Sequence, residues 1–174
     1  LTPKGTHTRP TRGRVKEALF NILSGHQFIN IITRRIVIDA FAGSGALGLE
    51  AISRGAALSI FIENDQNAIK TLEQNIRKLD YHHRARIIRA DACTIDIPAT
   101  EEAGLVIMDP PYELGLAYPC MEALEKRGWI GDETILVLEH GSTKEADHPS
   151  WLECFKIQKY GATHLFFYRK KGRI

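Results

Sequence analysis

Arg35-Ile36-Val37-Ile38-Asp39-Ala40-Phe41-Ala42-Gly43-Ser44-Gly45-Ala46-Leu47-Gly48 is the most informative stretch of this chain. An apolar run of strand length, Arg35–Asp39, passes directly into G-x-G-x-x-G. Leu47, Ala51 and Ile52 then recur at helical spacing. Glycines at such a junction let the backbone turn tightly and let a ligand approach where a Cβ would block it. The next apolar run, Ser59–Glu63, ends in an acid 20 residues after Gly43. A carboxylate at that place can accept both hydroxyls of a ribose. Strand, glycine loop, helix, strand and acid in this order point to a nucleoside-binding α/β unit, not to a glycine turn that only packs helix on strand.

The same alternation continues outward. Ala68, Leu72, Ile76 and Leu79 repeat at the spacing of an amphipathic helix. Arg86–Arg89, Leu105–Asp109 and Thr134–Glu139 read as further strands, and Met121–Lys126 reads as helix. Cys154–Tyr160 and Thr163–Arg169 flank Gly161-Ala162 as a hairpin. Upstream, Val15, Leu19, Ile22 and Leu23 form a helical stripe between a start at Pro10-Thr11 and a stop at Gly25. Strands alternating with helices imply a mostly parallel sheet covered on both faces, here of seven strands with a C-terminal antiparallel hairpin. With 174 residues, one domain is expected over 1–174: a basic segment and helix at 1–25, then an α/β core at 34–174.

Composition narrows the function classes. At 44% hydrophobic and 25% charged, the chain supports a folded core. No apolar run approaches the roughly 20 residues of a membrane span. Cys93, Cys120 and Cys154 are too scattered for a disulfide framework or a CxxC metal site, so a reducing, cytoplasmic setting is expected. The 7 histidines lack metal-ligand spacing and read as surface residues, with His82-His83 at a helix end. Trp129 and Trp151 read as packing residues. Net charge is only +2, yet Leu1–Lys16 and the stretch from Phe155 onward carry bases and no acid. These ends are either a local polyanion footprint or solvated termini. The acids crowd the middle of the chain, from Asp91 to Glu125.

A second motif, Asp109-Pro110-Pro111-Tyr112, follows the apolar run Leu105–Met108, at the carboxyl end where open α/β sheets bind ligands. Two prolines fix their φ angles and donate no N–H. The Asp109 carboxylate and the proline carbonyls can therefore converge as bare acceptors on an exocyclic NH₂. Such a nitrogen is a weak nucleophile, and accepting its hydrogens both positions it and favours the positive charge that develops during attack. Asp109 can also take the released proton. Tyr112 offers a stacking face for a flipped base. A rigid turn after a core strand is the plainer reading of the motif alone.

Both a nicotinamide dinucleotide and S-adenosylmethionine suit the glycine loop. Asp39 just before it would repel a pyrophosphate but suits the cationic amino and sulfonium groups of S-adenosylmethionine. Asp91, after the third strand, reads equally as a contact for the adenine amino group or as a turn cap. Arg9-Pro10-Thr11-Arg12-Gly13-Arg14 with Lys16 reads either as a phosphate clamp or as an exposed basic helix start.

The strings Arg9-Pro10-Thr11, Arg14-Val15-Lys16-Glu17-Ala18-Leu19-Phe20-Asn21, Phe41–Gly48 continuing as Leu49-Glu50-Ala51, Ser53-Arg54-Gly55-Ala56, Glu63-x-Asp65 and Asp109–Tyr112 occur in order. Together they resemble the RsmD-type bacterial 16S rRNA guanine-N2 methyltransferases (guanine 966 in the family's name) over nearly the whole chain. The resemblance implies a Rossmann-like class I methyltransferase that uses S-adenosylmethionine to methylate N2 of one guanine in small-subunit rRNA. It implies a cofactor site at Asp39, Phe41, Gly43, Ser44, Gly45, Glu63, Asn64, Asp91 and Ala92. It implies a catalytic motif at Asp109, Pro110, Pro111 and Tyr112. Arg9, Pro10, Thr11, Arg12, Arg14 and Tyr112 would contact the RNA, no metal is implied, and a cytoplasmic monomer acting on 16S rRNA or the small subunit is expected. Family members usually carry a basic, glycine-containing segment before Arg-Pro-Thr. Only eight residues precede Arg9 here and position 1 is Leu, so that segment is expected to be absent or trimmed.

Three rival readings define what must be tested. The same chemistry could act on an amino group of a DNA base or on a protein amide. An aspartate before Pro-Pro, together with the Arg-Pro-Thr segment, favours rRNA guanine. A nucleotide-dependent oxidoreductase would have to tolerate Asp39 and the Pro-Pro turn. A binding-only RNA module would have no use for an intact Asp109–Tyr112 string.

Overall fold

The computed structural model describes residues 10–28, 30–111, 115–141 and 147–172. Helix α1 (Pro10–Leu23) leads into β1 (Ile36–Ala40), α2 (Ala46–Ser53), β2 (Leu58–Glu63), α3 (Gln66–Lys78), β3 (Ala85–Arg89) and β4 (Leu105–Met108). Helix α4 (Ala117–Lys126), β5 (Ile135–His140), β6 (Leu152–Tyr160) and β7 (Thr163–Lys170) complete it. The strands form one seven-stranded sheet in the order β3-β2-β1-β4-β5-β7-β6. Strands β1 to β5 pair in parallel, and β7 runs antiparallel between β5 and β6. The expected seven-stranded, mostly parallel sheet with a C-terminal antiparallel hairpin is what the chain forms.

The central strands read as unbroken apolar runs because both of their faces are covered. Ile36, Ile38 and Ala40 of β1, Val106 and Met108 of β4, and Leu136 and Leu138 of β5 point to one side. There they pack with Met121 and Leu124 of α4 and with Trp129. The alternate residues Val37, Leu105, Ile107 and Val137 point to the other side, against Val15, Leu19, Phe20 and Leu23 of α1. A third cluster wedges Leu49 and Ile52 of α2 and Leu72 and Ile76 of α3 onto Phe61 of β2. No described helix is long and apolar enough to cross a membrane.

Two details differ from the sequence reading, and a third, the order of the hairpin strands, is one it left open. Helix α4 starts at Ala117, four residues before Met121, because Pro119 falls in its first turn, where a missing N–H breaks no helical bond. The hairpin is inserted in reverse: its second strand, β7, pairs with β5, and its first, β6, becomes the sheet edge. Not every histidine is a surface residue: His164 is 6% exposed on β7, and its Nδ1 has no hydrogen-bond partner. The tryptophans pack as expected. Trp129 is buried and donates its Nε1–H to the Ile97 carbonyl, and Trp151 donates to Glu122 and lies under the Lys170 ammonium.

Candidate active site

The site lies at the carboxyl ends of β1, β2 and β4, where the loops of a parallel sheet diverge. The three motif glycines have different tasks. A Cβ on Gly48 would sit 2.4 Å from Cε1 of the buried Phe61 ring and 3.1 Å from the Asp39 Cβ. One on Gly45, already at φ +79°, would sit 2.3 Å from Leu72. These two glycines let α2 press against β1, β2 and α3. Gly43, at φ +54°, has open space where its Cβ would be, so its constraint is conformational. Ser44 is held from behind, because Asn75 of α3, 9% exposed, donates its Nδ2–H to the Ser44 carbonyl at 3.0 Å. Phe41 adopts φ +62°, a strained conformation for a side chain with a Cβ, at the start of this loop.

Glu63 is held as an acceptor at the end of β2. Its Oε2 accepts the Gly43 N–H at 2.7 Å, and its Oε1 accepts the Asn64 and Asp65 N–H groups, each at 2.9 Å. Asp65 then caps α3 by accepting the Ala68 N–H at 2.7 Å. Around Glu63 opens a cleft of about 480 Å³ lined by Phe41, Ile62, Asn64, Ala92, Asp109 and Pro110 among others. Asp91 also lines it while its Oδ1 accepts the Cys93 N–H at 2.8 Å. Asp91 is thus a turn cap that also faces the cleft. The Cys93 thiol is pushed up to about 11 by burial and by Asp91, and it donates to the Leu116 carbonyl, so it is a poor nucleophile at neutral pH.

Asp39 is placed differently from the sequence expectation. It is 2% exposed, its Oδ2 accepts the Gly48 N–H at 2.8 Å, and it does not line the cleft. Burial first, then the nearby Asp109 and Glu63 charges, push its carboxyl up to about 8 against the lowering by Gly48. It is therefore a clamp between β1 and α2 whose charged form burial disfavours. Its Oδ2 is thus turned to Gly48, while Glu63, Asp91 and Asp109 are the acids that line the cleft.

The turn after β4 separates two clefts. Pro110 and Pro111 line the one already described and also a second, of about 870 Å³, together with Leu116, Tyr118, His140 and His148. The sequence reading missed Tyr118, His140, Asp147 and His148. Only His140 carried a signal, as the residue ending the apolar run of β5. Tyr112 and Arg9 lie outside the described residues, as do the side chains of Pro10, Thr11 and Arg12, whose backbone belongs to α1. Arg14 is exposed on α1. Lys16 is tied to Glu50 of α2 at 3.2 Å, so it does not belong to a free basic patch.

The family model described as conserved hypothetical protein 95 matches residues 1–169. The ribosomal RNA small subunit methyltransferase D of Escherichia coli K12 is 36% identical over 137 residues, which cover 79% of this chain and 66% of that protein. The chain belongs to this RsmD-type family. Its structure matches that of the Escherichia coli protein YhhF with a TM-score of 0.78 at 31% identity, over 99% of this chain and 92% of that one. At 15% identity, an RNA methyltransferase from Salinibacter ruber, solved in complex with S-adenosyl-L-homocysteine, shares the fold with a TM-score of 0.71, over 95% of this chain and 96% of that one. Against the Escherichia coli methyltransferase D, the aligned part is about two thirds of the relative's length.

Proposed function

We propose that this RsmD-type chain transfers a methyl group from S-adenosylmethionine to the exocyclic N2 of a guanine in small-subunit rRNA. The observation that carries this is the pair of clefts meeting at Pro110-Pro111, with Glu63 anchored in the smaller and Asp109 lining that same cleft beside the shared prolines. The donor chemistry of the smaller cleft fits a nucleoside. Glu63 presents fixed acceptors for ribose hydroxyls, Phe41, Ile62 and Ala92 supply apolar walls, and Asp91 supplies an acceptor for an adenine amino group. Bound there, S-adenosylmethionine supplies an electrophilic methyl group on a sulfonium.

In this reading the second cleft takes the base. Asp109 and the Pro110 carbonyl accept the two hydrogens of N2, which holds the lone pair toward the donor cleft. The N2–carbon bond forms as the sulfur–carbon bond breaks, and Asp109 takes the proton that N2 loses or passes it to water. Tyr112 stacks on the flipped base, while Arg9, Pro10, Thr11, Arg12 and Arg14 guide the RNA. Asp109→Ala is expected to lower transfer at least a thousandfold while changing cofactor affinity less than about threefold, in labelled-methyl and calorimetric assays. Turnover retained in that variant would remove Asp109 from the chemistry.

A further inference from the structure

The parallel register pairs Met108 of β4 with Leu138 of β5, and both side chains lie in the same core cluster. Two residues beyond Leu138 on β5, on that same face, stands His140, and two residues past the end of β4 stands Pro110. Both line the larger cleft, and the His140 ring is braced edge-on against Phe166 at 6.3 Å between centroids. Adjacent strands are about 4.8 Å apart, a distance comparable to the separation of the outer groups on one purine edge. A base whose amino group is held above the end of β4 can therefore place the far end of that edge above the end of β5.

We propose that His140 is a specificity-determining residue that donates an imidazole N–H to O6 of the acceptor guanine. The proposal rests on the guanine reading above and extends it. On guanine, N2 and O6 flank N1 on one edge, and O6 can only accept. Asp109 and the Pro110 carbonyl can only accept, so they read the amino end. His140 supplies a donor for the other end. No new covalent step is involved.

The test uses the full chain and small subunits reconstituted with rRNA carrying either guanine or 2-aminopurine at the methylated position. 2-Aminopurine keeps the amino group and lacks the oxygen. In kcat/KM, wild-type protein is expected to prefer guanine. His140→Ala is expected to shrink that preference about tenfold by losing rate on guanine alone, and His140→Gln, which restores a donor, to recover part of it. S-adenosylmethionine affinity, measured by calorimetry, stays unchanged in both variants. An unchanged preference in His140→Ala overturns this proposal and leaves the guanine reading intact. Absence of transfer to guanine by the wild-type protein, with cofactor bound, overturns the guanine reading and this proposal with it.

Discussion

Asp39 shows how a residue singled out by its place in the sequence acquires a structural task in the fold. Its place before the glycine loop marks it as important, and in the fold its buried carboxyl clamps Gly48. Because its folded-state value, about 8, lies above the ordinary 3.8, the folded protein holds a proton there that the unfolded chain has lost. Its contribution to stability therefore falls as pH rises from about 4 toward 8 and levels off above that. Asp39→Asn keeps an acceptor for Gly48 and removes the titration. Thermal unfolding of the variant is expected to lack the part of the decline between pH 5 and pH 8 that the wild type shows. Gly48 is the matching steric case. Gly48→Ala places a methyl against Phe61 and is expected to cost about 1–3 kcal/mol in denaturant unfolding, without altering any group that faces the cleft. Phe61 is fully buried. That glycine was legible as a motif letter; the ring it accommodates comes from β2 and was not.

At the scale of elements, strand ends make the site. Glu63 ends β2, Asp109 follows β4 and His140 ends β5, because a parallel sheet brings all its carboxyl ends to one edge. Glu63 was readable from spacing alone. Its three backbone donors were not, since they depend on how α2 and α3 leave the sheet. Glu63→Gln replaces one fixed acceptor by a donor facing backbone N–H groups. It is expected to weaken S-adenosylmethionine binding at least tenfold by calorimetry while leaving the fold intact. Asn75 and the second cleft escaped notice for a related reason. A mid-helix Asn, or a Tyr in a first helical turn, acquires meaning only from what it faces. The central strands β1, β2, β4 and β5 were legible to about a residue at each end, because burial on both faces leaves them no polar alternation to blur their ends. The reversed hairpin was not, because two adjacent strands pair with each other in either placement.

At the scale of the molecule, charge segregated along the sequence is partly neutralised in space. Glu50 lies in the loop-helix string, Lys16 in the N-terminal string and Arg54 in the Ser-Arg-Gly string, and the fold gathers all three. Burial opposes the Glu50 charge, but hydrogen bonds from Arg54 and Lys16 outweigh it and hold the carboxyl below its usual range. Arg54 also covers the Phe20 ring at 5.0 Å, fixing α1 on the sheet beside α2. Arg169 and Lys170 meet Glu153 and Glu125 in the same way. Part of what reads as a polyanion footprint is thus internal bracing, and Arg14 remains exposed on α1. The central claim is that two clefts meeting at Pro110-Pro111 bring a methyl donor to the amino group of an rRNA guanine. The most direct measurement is transfer from labelled S-adenosylmethionine onto small ribosomal subunits that lack the modification, followed by digestion and nucleoside analysis. The account predicts N2-methylguanosine at a single position in 16S rRNA, absent with Asp109→Ala. Label in any other nucleoside, or in ribosomal protein, would contradict it.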